Sequence, residues 1–103
     1  MNDIARHQAV SIAEDMLAGK VDILNGCAKL VPQLYAAGLD KDPNFRIFVV
    51  VWSDCDHLPI GHVRQHWDIE ALKLKDEEIA EINSFYRKDV LIACGRLVAL
   101  MDS

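Results

Sequence analysis

The chain has no excess of positive charge: its 11 lysines and arginines are outnumbered by 16 acidic residues, leaving a net charge of -5. That is the wrong sign for releasing counterions from a phosphate backbone, so the sequence argues against nucleic acid as a partner. Paired cysteines are also lacking. The three present, Cys27, Cys55 and Cys94, are odd in number and form no C-x-x-C pair. Neither a disulfide framework nor a zinc knuckle is indicated, and a reducing, cytoplasmic setting fits. The longest run of strong hydrophobes, Ile47 to Trp52, is far too short to cross a bilayer, and the first residues show no basic stretch leading into an apolar one. No membrane association is expected. Repeats, low-complexity tracts and linkers are missing as well.

What is there suits one compact domain. A length of 103 residues leaves room for a single core spanning residues 1–103. Apolar residues make up 51% and charged ones 26%, ordinary proportions for a chain expected to fold without a partner or metal.

Helical periodicity runs through most of it. Ala5, Ala9, Ile12, Ala13 and Met16 share one face of a first helix that Asn2 or Asp3 caps and Gly19 ends. Ile23, Cys27, Leu30, Leu34 and Ala37 do the same for a second, ending at Gly38. Pro32 lies inside this helix and removes one backbone donor, so a bend is expected there.

The run IFVVVW at 47–52 favours a strand by local propensity, yet no other segment alternates convincingly enough to pair with it. As a helix it has Asp42 for its cap, Pro43 in the first position, and Phe45, Phe48, Val49 and Trp52 on one face. The last helix is expected to start at an Asp76 cap and to carry Ile79, Ile82, Tyr86, Val90, Ala93, Leu97 and Leu100 as its seam. From Val90 onward nearly every face is apolar, which suits a helix at the centre of the fold or at a subunit interface. The expected architecture is an all-α, four-helix bundle-like domain with a long C-terminal helix and an irregular or partly helical corner at 53–73.

That corner is the chemically densest part. Pro59 and Gly61 break its periodicity, and His57, His62, His66, Asp54, Asp56, Asp68, Arg64 and Trp67 crowd into it. One helical turn is expected near His62–His66, and a short piece at Ile69–Lys73 capped by Asp68. A metal reading joins His62 and His66, four apart and so on one helical face, to Asp56 and His57, with zinc as the natural ion. No H-E-x-x-H motif accompanies them. A Cys55–His57 nucleophile is disfavoured, because Asp54 and Asp56 beside the thiol raise its pKa instead of lowering it. Paired acidic motifs of the kind all-α nucleotide hydrolases use are incomplete, since Glu78-x-x-Glu81 supplies only one. In the structural reading, Ser53 or Asp54 ends the third helix, Asp56 caps the turn, Arg64 pairs with an aspartate and Trp67 packs over the loop.

A rigid, charged and aromatic corner also makes a binding surface, with Asp56, His57, Arg64 and Trp67 as its candidate residues. The phrase S-x-x-D-x-L-P-x-G-x-x-R-x-x-W, here Ser53, Asp56, Leu58, Pro59, Gly61, Arg64 and Trp67, resembles one found in small bacterial helical proteins. Those proteins are similar to mobile-element cargo and to immunity or regulatory proteins encoded beside toxins. The resemblance implies a context and brings no catalytic residue with it. No cofactor is expected. The function that follows is non-catalytic protein binding, by a homodimer that meets a partner with a basic surface. A metal-dependent or small-ligand enzyme built on Asp56, His57, His62 and His66 is the alternative.

Overall fold

Helix ends are set by a few residues with strong local preferences. In the computed structural model, which describes residues 3–55, 58 and 66–102, the first helix, α1, spans Asp3–Leu17. Gly19 follows it with φ 76°, and the Gly19 and Lys20 amides donate to the carbonyls of Met16 and Asp15 at 3.2 and 2.9 Å. Only a residue without a Cβ enters that left-handed turn at no steric cost. Helix α2, Ile23–Ala37, starts where the Asp22 carboxylate accepts from the amides of Leu24 and Asn25, both at 3.2 Å. It ends on Gly38 in the same left-handed way, with the Leu39 amide donating to Leu34 at 2.8 Å. Pro32 lies on an exposed face of α2, and the helix continues through it. Half-buried Ala28, whose carbonyl Pro32 leaves without its helical donor, sits one turn earlier.

The 47–52 run is helical, and no strand occurs among the described residues. Asp42 accepts from the Asn44 amide at 2.9 Å, a tight 3-10 turn over Pro43–Phe45 follows, and α3 runs from Arg46 to Asp54. The face it buries differs from the expected one. Phe45, Phe48, Val51 and Cys55 are in the core, Val49 is half-buried, and Trp52 is 40% exposed. The 3-10 entry explains the shift, since its tighter winding rotates the register of everything after Phe45.

Helix α4 is one uninterrupted element from Ile69 to Asp102. Neither a separate piece at Ile69–Lys73 nor a cap at Asp76 exists. Between Glu70 and Glu81 the sequence holds Ala, Leu, Lys, Glu, Ile and a single Asp, with no glycine or proline. One aspartate in a helix interior costs at most about 0.7 kcal/mol, too little to stop propagation.

The core gathers around α2 and not around α4. On α2, Ile23, Leu24, Gly26, Cys27, Leu30, Val31, Leu34 and Ala37 are all buried, and it packs against each of the other helices. Helix α1 lies against α2 and α4 through Ala5, Ala9, Ala13 and Met16, side chains small enough for close approach. On α4 only Val90, Ala93, Cys94 and Leu97 are fully buried, while Ile79, Ile82, Tyr86, Leu91 and Val98 pack at the margin. Leu100, expected in the seam, is exposed. The molecule measures 47 × 24 × 23 Å, and α4 sets its long axis. Among the described residues no polar or charged residue is buried as a whole, and the Arg6 Nε atom at the edge of α1 is shielded from water.

Candidate functional site

Asp56, His57, His62 and Arg64, four of the six residues singled out in the corner, lie outside the described residues, as do Pro59 and Gly61. The other two are on the surface: His66 is exposed and Trp67 is 36% exposed. Leu58 is the corner's anchor. Its side chain is buried, and its amide donates to the Cys55 carbonyl at 3.0 Å. No group of three or more metal-ligating side chains gathers among the described residues, which include His66 but none of its proposed co-ligands.

Near the end of α3 the chemistry is visible. The Tyr86 hydroxyl on α4 donates to the Asp54 carboxylate, latching the last turn of α3 to the long helix. This hydrogen bond holds the phenol above its ordinary pKa, with slight burial and the Asp54 charge acting the same way. Next to it, Cys55 is almost fully buried. Its thiol is pushed up to about 11, first by burial and then by the charges of Asp54, Asp22 and Glu78. A thiol in that setting stays protonated at neutral pH and is no nucleophile. The latch was not legible in the sequence, because Tyr86 falls on the apolar seam and its partner is 32 residues away.

The three cysteines belong to the interior. Cys27 and Cys94 are fully buried, and the Cys94 thiol lies 3.9 Å from the sulfur of Met16, where α1 meets α4. Burial pushes both thiols up, with the neighbouring cysteines adding to the effect at Cys27. All three are free. They act as small, polarisable core residues.

The exposed apolar side chains form the second feature. Both tryptophans of the chain remain outside the core. On α4, Leu74, Phe85 and Ile92 are 74%, 75% and 45% exposed. They are eleven and seven residues apart, which places them within about 20° of one line on the helix, opposite the buried Val90 and Leu97. Phe85 meets Tyr86 edge to face at 4.9 Å between ring centroids. Beside Ile92, a notch of about 330 Å³ opens between α4 and the Pro43 turn, lined by Pro43, Ile47, Asp89, Ile92 and Arg96 among others. Arg96 donates to the Asn44 side-chain oxygen across it at 3.4 Å. No helix of the described residues is long and apolar enough to cross a membrane. The apolar stripe is thus a surface feature on a charged helix, and the sequence hid it because Glu78, Glu81 and Lys88 interrupt it.

No family model matches the chain, and neither does any curated protein or solved structure.

Proposed function

We propose that this chain is a non-catalytic protein-binding module of regulatory or immunity-factor type, working in the cytoplasm as a homodimer and engaging a partner with a basic surface. The observation that carries this reading is the placement of the two tryptophans. Trp52 and Trp67 are 40% and 36% exposed, while smaller apolar side chains fill the core. Leaving over a third of each of the largest apolar side chains exposed forgoes part of the roughly 1.5–3 kcal/mol that full burial of a large apolar group contributes, and that exposed part is available to an interface. The binding surface is the corner of Asp56, His57, Arg64 and Trp67. A net charge of -5 supports attraction to a basic partner at a distance, and the direct contacts give the specificity. The resemblance of the Ser53–Trp67 phrase to small bacterial immunity-like proteins agrees with this.

The test is to isolate the untagged chain from its native cell, weigh it intact with whatever it carries, and titrate the purified partner back. Binding is expected to shift tryptophan emission to the blue, to weaken with salt, and to lose about tenfold in affinity for Trp67→Ala. Unchanged affinity in that variant overturns the reading. So does stoichiometric zinc lost on replacing His62 and His66, which would establish the metal site with Asp56 and His57.

A further inference from the structure

The outer face of α4 carries a heptad pattern that is mixed in a specific way. Positions 74, 81 and 88 hold Leu, Glu and Lys; positions 78, 85 and 92 hold Glu, Phe and Ile. All lie on the face turned away from the core, and all but the half-buried Glu78 are exposed. Four of the acidic residues, Asp76, Glu77, Glu78 and Glu81, precede Phe85, while Lys88 and Arg96 follow it on the exposed side with Asp89 between them. A parallel copy of the helix would therefore set like charges side by side. An antiparallel copy sets opposite ones together.

We propose that the chain forms a two-fold homodimer by packing the outer face of α4 antiparallel against the same face of a second copy, with the axis crossing near residue 83. This rests on the homodimer in the functional reading and gives it a surface. In this register Leu74 meets the partner's Ile92 and Glu78 meets the partner's Lys88, while Phe85 lies over the methylenes of the partner's Glu81. On the flank, Lys75 meets the partner's Asp89. Each pair occurs twice about the axis. In an antiparallel pair the core layers join unlike heptad positions and the flanks join like ones, and every charged contact named here is then of opposite sign. Within the monomer Lys75 already reaches Glu78 at 3.2 Å, so the partner's Lys88 and Asp89 extend an existing chain of alternating charge.

The shape agrees. The notch between α4 and Pro43–Ile47 lies beside Ile92, where Leu74 of the second copy arrives, and Asp89 and Arg96 stand at its edges. The overlap runs from Ile69 to Leu97, about 42 Å of helix, or four heptads. Rim ion pairs contribute at most about 1 kcal/mol each, so they fix direction and register. Affinity comes from burying Leu74, Phe85 and Ile92, two of them now three-quarters in water.

Sedimentation of the untagged full chain across the micromolar range tests the seam, with circular dichroism confirming that each variant keeps its helicity. A dimer is expected whose dissociation constant rises at least about tenfold for Lys88→Glu, where two Glu78–Glu contacts replace attraction. Adding Glu78→Lys to Lys88→Glu restores it, because the swap rebuilds the pair with its signs exchanged. A monomer throughout overturns the proposal. So does a dimer indifferent to both Lys88→Glu and Phe85→Ser, or a swap that restores nothing. Partner titration with Trp67→Ala, run separately, tells the two failures apart: a monomer that still binds its partner overturns the seam and the homodimer but leaves partner binding at the corner standing, and a seam-dependent dimer without a partner overturns partner binding alone.

Discussion

Gly26 of α2 faces Met16 of α1 so closely that a Cβ at that glycine would lie 2.5 Å from the methionine sulfur. The contact sits where α1 and α2 cross, with Met16 itself buried. Two effects compete in Gly26→Ala. Helix propensity favours alanine by about 1 kcal/mol, while forcing a methyl group into an occupied site costs about 1–3 kcal/mol. Because Met16 is enclosed by Cys94 and Gly26, overpacking wins. Urea denaturation is expected to show a net loss of about 1 kcal/mol. Met16→Ala alone loses about 2–5 kcal/mol, and the double variant loses less than the sum, since the new methyl occupies part of the vacated volume.

The register of α3 makes a sharper contrast. Phe48 is fully buried and Trp52, four residues on, is 40% exposed. Phe48→Ala is expected to cost about 3–5 kcal/mol, and Trp52→Ala no more than about 1 kcal/mol despite removing the larger side chain. Thermal denaturation of the two variants side by side decides it. A large loss at Trp52 would return it to the core face that simple periodicity assigns.

Alkaline pH should weaken the fold. Cys55 and Cys94 have folded pKa values of about 11 against an ordinary value of 9.0. A thiol whose pKa is raised by folding contributes stability that is fully present below about pH 9 and lost as pH climbs through 11. Tyr86 works in the same direction at higher pH, because its hydrogen bond to Asp54 exists only while the phenol is protonated. Denaturation midpoints are expected to hold near pH 8 and fall between pH 9 and 11. Replacing Cys94 by alanine should flatten part of that fall. At pH 8 the native thiols should react with Ellman's reagent far more slowly than those of the denatured chain.

The termini of the first helices could be read directly because the signals are local. Gly19, Gly38 and Asp42 each perform the role their chemistry suggests, and IFVVVW, with no strand-forming segment to pair with, is helical. The all-α class and the long last helix followed from the same signals. Features that depend on neighbours were less legible. Trp52 and Val51 differ by one position, and a 3-10 turn upstream chose between them. Asp76 has the chemistry of a cap, but a cap forms only where a helix begins, and Leu72 and Lys73 had already begun this one. The all-round apolar character of the last helix suggested a central position, yet α2 with its small Gly26 and Cys27 admits closer neighbours and takes the centre. Of the corner residues, Trp67 is 36% exposed, whereas the Tyr86–Asp54 latch depends on two distant segments meeting.

The long helix is held unevenly, and this gives the domain a gradient of local stability along one continuous rod. Val90 and Leu97 are enclosed by the other helices, while Ile69 and Leu74 are mostly in water. A helix end of a few turns is marginal by itself, since propagation gains little per residue without packing. Amide protons near Leu74 should therefore exchange by fraying, and those near Cys94 only on global unfolding. The same element is thus a firm root at one end and a yielding tip at the other, and a second chain that gripped the tip would be felt as protection spreading backward along the rod.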